Sequence, residues 1–254
     1  MKDDTDKDFV LSLLRNMGFH VEPIPEASYK KPDLKVMMPE GDVLVEVKSK
    51  EDDKQLRDLL ESPSGTPLSY NVSSAKKILR KALHQILDFT NRDNEDLTLI
   101  WVITRKVEGV TVLVRSNIKT LLYGIEIISG QKIDRKVFDL KPCYFFGESL
   151  FFKYQDLDAV VLHEAQLEGQ LIELCLNPFS PRYKTFKSMK LTEFFRDRFS
   201  VIDPREMEAA GKCFLADCDI SRQDKDGIVR YLKSKYRLDT ITIDRFMLFN
   251  LPVD

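Results

Sequence analysis

Paired cysteines are missing from this 254-residue sequence. Its four cysteines, Cys143, Cys175, Cys213 and Cys218, contain no Cys-x-x-Cys spacing, and there are only three histidines. A structural zinc site of the usual ligand spacing is therefore not expected, and the cysteines read as free thiols of a reducing cytoplasm. Long apolar runs are also absent: none approaches the roughly 20 residues that cross a bilayer. The first residues are acidic and polar, so no secretory leader and no membrane partner are expected. Neither sign of charge is in excess, with 39 Lys and Arg against 41 Asp and Glu. Bulk charge therefore does not advertise a nucleic-acid partner, although it says nothing about local asymmetry. There is no internal repeat, no low-complexity tract and no helix-turn-helix or zinc finger to read a base sequence. What remains is a chain with 43% hydrophobic residues, long enough for one large domain or two small ones.

The most informative residues lie near the start. Pro32-Asp33 is followed, thirteen residues after the Asp, by Glu46-Val47-Lys48. Leu34–Met38 and Val43–Lys48 are β-prone runs on either side of the turn cluster Pro39-Glu40-Gly41-Asp42, so the segment reads as a hairpin. Side chains alternate along a strand, so Glu46 and Lys48 share one face and Val45 and Val47 the other. A hairpin can bring Asp33 to that pair. Two carboxylates and a lysine are the groups needed to hold a hard divalent cation and to activate water.

Around this motif, Phe9–Phe19 carries apolar residues at 10, 13, 14 and 17, a helical spacing, with Gly18 as its stop. Downstream, Ala75–Phe89 reads as a helix preceded by Ser73-Ser74. Its apolar stripe is Ile78, Leu79, Ala82, Leu83, Ile86 and Phe89, and Lys76, Lys77, Arg80 and Lys81 make its first half basic. Leu97–Thr104 is almost wholly apolar, as strands buried on both faces are.

In motif and in element order the chain resembles the PD-(D/E)xK nuclease superfamily over roughly residues 6–104. The resemblance implies an α/β chain with a mixed sheet, built on a restriction-endonuclease-like αβββαβ core. It implies a Mg²⁺-dependent endonuclease, with Mn²⁺ as a substitute, in which Asp33 and Glu46 bind metal and Lys48 orients or deprotonates the attacking water. The carbonyl of Val47 would be a further metal ligand. An acidic residue near the start of the first helix would add to the site, with Asp8 at the matching position and Asp6 as the alternative. Gln85 is the implied accessory residue of the second helix. Lys31, Lys76, Lys77 and Lys81 are the residues expected to contact nucleic acid.

A nuclease domain over 1–130 and a C-terminal α+β region over 131–254 are the expected divisions, with a soft, polar boundary around Gln131–Pro142. Val110–Val114 reads as a strand, Asn117–Tyr123 as a short helix and Ile125–Ile128 as a strand. Leu157–Leu162 and Gln170–Leu176 read as paired strands joined near Glu168-Gly169. Met189–Phe199 and Asp226–Tyr236 read as helices, the second with Asp224 at its cap. Gly211–Cys218 and Thr240–Phe249 read as strands. Two features of this half could carry chemistry: Asp217-Cys218-Asp219, and a basic cluster from Arg222 to Arg237. The aromatic group Tyr144, Phe145, Phe146, Phe151, Phe152 and Tyr154 is assigned to core packing in preference to base stacking. The segment Glu61–Ser69 reads as a flexible loop, either placed to close over substrate or a surface insertion.

The expected function is metal-dependent hydrolysis of DNA phosphodiester bonds in the cytoplasm, in a bacterial or phage defence or DNA-processing setting. A homodimer and a partner protein that supplies specificity are the further expectations. The alternatives are an inactive binding or assembly protein that keeps the fold, and an RNA-processing nuclease.

Overall fold

A computed structural model describes residues 2–25, 31–50, 73–90, 96–105, 111–132, 138–165 and 170–244. The expected loop at 61–69, the turn at 168–169 and the end of the last expected strand lie outside these residues. The chain is mixed α/β. Its described elements run α1 (Lys2–Asn16), β1 (His20–Pro23), β2 (Leu34–Met37), β3 (Val43–Lys50), α2 (Ser73–Thr90), β4 (Leu97–Arg105), α3 (Thr111–Tyr123), β5 (Glu126–Gln131) and β6 (Phe138–Tyr144). They continue α4 (Leu150–Lys153), β7 (Ala159–Ala165), β8 (Gln170–Leu176), α5 (Tyr183–Lys187), α6 (Lys190–Arg198), β9 (Ser200–Ile202), α7 (Pro204–Ala209), β10 (Phe214–Leu215), α8 (Lys225–Tyr236) and β11 (Thr240–Asp244).

Two compact units emerge, and each is discontinuous in sequence. The first combines 1–118 with 155–202, the second 119–154 with 203–254. The expected single break at 130 is replaced by this interleaving, because β7, β8 and β9 belong to the first sheet.

That sheet has seven strands in the order β1-β2-β3-β4-β7-β8-β9. β1, β2 and β3 are antiparallel neighbours, and β3, β4 and β7 run parallel. β8 returns antiparallel to β7, as the paired-strand reading of 157–176 anticipated. Register sets the two faces. Val45, Val47, Leu99, Trp101, Val161 and Leu174 point to one side, where Val10 and Leu14 of α1 and Phe186, Leu191 and Phe195 of α5 and α6 complete an apolar core. Burying a side chain of this size contributes about 1.5–3 kcal/mol. Glu46 and Lys48 point to the other side, in register with Ile100 and Val102 of β4. α2 packs there through Ala75, Leu79, Ala82, Leu83 and Ile86. Nine residues of β4 are sandwiched between these layers, and eight of its side chains, Leu97 to Thr104, are buried, which is why the strand is apolar in nearly every position.

Gly18 ends the first helical segment with φ of 89°, a conformation open to glycine at little cost, and its N–H returns to the carbonyl of Arg15. Thr111–Tyr123 corrects the expected strand at 110–114. It is one helix, and Arg115, Ile118 and Leu122 are buried at helical spacing along it.

The second unit holds a four-stranded sheet in the order β10-β6-β5-β11. Its core is largely aromatic: Tyr123 packs edge-on against Tyr144, Phe145 and Phe151. The core-packing reading holds for Tyr144, Phe145, Phe146 and Phe151, all buried. Asp224 caps α8 by accepting from the Gly227 N–H at 2.8 Å, as expected. The expected strand over 211–218 shortens to Phe214–Leu215.

Candidate active site

The site begins with the antiparallel pairing of β2 and β3. Leu34 lies opposite Val45, and the Asp33 N–H bonds to the Val45 carbonyl at 2.9 Å. Asp33 is thereby fixed beside the middle of β3, and its Oδ2 accepts the Val47 N–H at 2.8 Å. Val47 thus meets Asp33 through its amide, while its side chain fills the opposite core. Pro32 and Asp33 are both buried, so the acid is held in protein and not at a solvated turn.

Glu46 is fully buried. Its Oε2 accepts from Gln85 Nε2 at 2.8 Å, and the same amide donates to the Lys31 carbonyl at 2.7 Å. Gln85 therefore ties α2, the segment before Asp33 and β3 together at the carboxylate. The second oxygen, Oε1, is paired with the Lys48 ammonium. Burial pushes the Glu46 carboxyl up to about 8, with the Asp33 charge adding to the rise and the Lys48 charge opposing it. A carboxyl raised by burial and by a neighbouring acid is a group whose charged form gains from an added cation.

The structure therefore brings together Asp33, Glu46, Val47, Lys48 and Gln85. Lys31 joins through its backbone carbonyl. Lys77 and Lys81 are exposed on α2 and Lys76 is half-buried there. Lys77, Lys81 and Gln85 recur every four residues, so they line one flank of the helix that ends at the acid pair. Asp8 is not brought in: it is exposed on α1, while Asp6 is buried. Successive residues of a helix turn by about 100°, and the face that carries Val10 and Leu14 inward also carries position 7. Lys7 is the residue that sequence reasoning missed. Its Nζ lies 2.9 Å from Asp33 Oδ1. The helical stripe 7, 10, 14 was the available signal.

The donor set is made of hard oxygen atoms, which suits Mg²⁺ or Mn²⁺ over softer metals. Among the described residues no group of three or more His, Cys, Asp and Glu gathers to hold a metal. Mg²⁺ usually keeps several waters and takes one or two carboxylates, so two acids meet its needs.

Outside this site, Asp217 is engaged by Lys235 and Tyr231, both at 2.6 Å. All four cysteines are free thiols. No described helix is long and apolar enough to cross a membrane. Comparison with protein-family models, with curated proteins and with solved structures finds no match for this chain.

Proposed function

We propose that this chain is a metal-dependent nuclease of the restriction-endonuclease-like type, hydrolysing DNA phosphodiester bonds. One observation carries the reading: Asp33 from the segment before β2, Glu46 and Lys48 from β3 and Gln85 from α2 converge on one buried acid pair. The element order α1-β1-β2-β3-α2-β4 supports it, being the αβββαβ succession of such cores.

A divalent cation held by Asp33 and Glu46 supplies Lewis acidity toward the phosphoryl oxygen and acidifies water. The residues do the rest. The Val47 amide and Gln85 fix the two carboxylates, so little reorganisation is needed when charge develops. Lys48, about one-fifth exposed at its side chain, stands beside Glu46 where it can orient the attacking water and stabilise the anion formed from it. The water oxygen loses a proton to solvent and forms the new P–O bond, the ester P–O bond breaks, and the leaving oxygen takes up a proton. The exposed Lys77 and Lys81 offer phosphate contacts along the flank of α2.

The test is cleavage of supercoiled and linear DNA with Mg²⁺ or Mn²⁺, then with EDTA, with RNA as competitor. Metal-dependent cutting that is lost in Lys48→Ala is expected. Preferred cutting of RNA would change the substrate class. Absence of cutting by the folded protein with either metal would favour a binding protein that keeps the fold.

A further inference from the structure

We propose that Lys7 is a phosphate-binding residue of this site, held on Asp33 until a divalent cation displaces it. The inference rests on the nuclease reading above.

Two acids, Asp33 and Glu46, face two ammonium groups, Lys7 and Lys48. Each acid has its own lysine. The two lysines are placed differently. Lys48 is two residues from Glu46 on the same strand and shares its face by the pleat, so it stays beside the acid whatever binds. Lys7 reaches Asp33 from another element, α1, on a long flexible stem, and its side chain is 30% exposed. It also sits close enough to act on the charge of Glu46. The Lys7 ammonium therefore occupies the approach to the one Asp33 oxygen that the Val47 amide does not use.

A dication that takes Oδ1 must displace that ammonium, because like charges repel at this range. The displaced head keeps its anchor on α1 and stays at the solvent edge of the site. A cation held by Asp33 and Glu46 would add positive charge to the site, which a phosphodiester anion would offset. Lys7 is then the mobile cation nearest the incoming phosphate, and as a point charge with rotatable donors it suits a non-bridging oxygen.

Two binding measurements on the full chain test this without turnover. Lys7→Gln keeps a hydrogen-bond donor toward Asp33 and removes the charge, and Lys7→Arg keeps the charge. Mn²⁺ calorimetry is the first. Lys7→Gln is expected to bind Mn²⁺ up to about tenfold more tightly than the natural chain, because a competing cation is gone. DNA binding in Ca²⁺, as a function of salt, is the second. Lys7→Gln is expected to weaken it and lower the salt slope by about one, and Lys7→Arg to restore both. A lysine that merely props Asp33 in place would give weaker Mn²⁺ binding and an unchanged slope, and either result overturns the proposal. Failure of the natural chain to bind Mn²⁺ at all overturns the nuclease reading as well. Binding by the natural chain with no gain in Lys7→Gln overturns only the role of Lys7.

Discussion

Two buried acids of the first unit, Asp158 just before β7 and Glu46 within β3, are treated in opposite ways. Asp158 Oδ2 accepts the Thr98 N–H at 2.7 Å and the Thr98 hydroxyl at 3.1 Å. Its Oδ1 accepts from the Ser180 hydroxyl, and the Arg182 guanidinium closes over both oxygens. Every lone pair is used, and the result ties the starts of β4 and β7 to the turn after β8. Glu46 is equally inaccessible, but its oxygens meet the Gln85 amide and the Lys48 ammonium, and the charge of a second acid, Asp33, acts on it. A buried acid closed in by donors and a guanidinium is a latch. One held beside a second acid is costly in its charged form, and an added cation lowers that cost.

Substitution should separate the two. Asp33→Ala and Glu46→Ala are expected to reduce metal-dependent cleavage by about a thousandfold or more while the thermal transition is retained, as read by plasmid cutting and circular dichroism. Asp158→Ala should do the reverse. It strands Arg182 and the Thr98 amide and is expected to cost about 3–5 kcal/mol in urea unfolding. Should Glu46→Ala unfold the protein and Asp158→Ala leave it intact, the contrast fails.

The pH dependence sharpens the same contrast. The Glu46 carboxyl is held at about 8 in the fold against 4.5 for the ordinary group. The folded state therefore binds its proton more tightly than the unfolded chain does. Stability in a chelator should fall as pH rises from about 4.5 to about 8, by a few kcal/mol at most. Glu46→Gln should flatten that limb, and saturating Mn²⁺ should offset it in the natural chain. The smallest effect is expected on the flank of α2. Lys77→Ala with Lys81→Ala should leave stability within about 0.5 kcal/mol and lower the salt slope of DNA binding by about two.

The sequence made the hairpin and its neighbours legible for a physical reason. Helical and strand periods differ, α1 and α2 carry a clear helical one, and β4 is marked by its unbroken apolar run between breaks. Gln85 was reachable through the same pattern, since it borders the apolar stripe of α2. Other parts depended on long-range pairing that no local pattern contains. β7 enters the first sheet beside β4, sixty positions away at Leu99 and Ala159, so the units interleave in a way that composition does not announce. β6 was hidden by Asp139, Lys141 and Pro142. It pairs with β5 along Phe138–Cys143, but β10 covers only Cys143 and Tyr144, so a residue without an N–H is tolerated within it. Thr111–Val114 looked like a strand because it is β-branched, and the buried stripe from Arg115 onward made it a helix. Asp8 came from the resemblance, as the acid at the matching position with Asp6 as the alternative; α1 leaves Asp8 exposed, buries Asp6 and brings Lys7 to Asp33.

The most direct test of the central contrast is calorimetric titration of Mn²⁺ into the natural chain, Glu46→Gln and Asp158→Asn, each first shown to be folded. The account predicts one cation per chain in the natural protein, binding lost in Glu46→Gln, and binding kept in Asp158→Asn. No binding by the folded natural chain, or binding that survives Glu46→Gln, would contradict it.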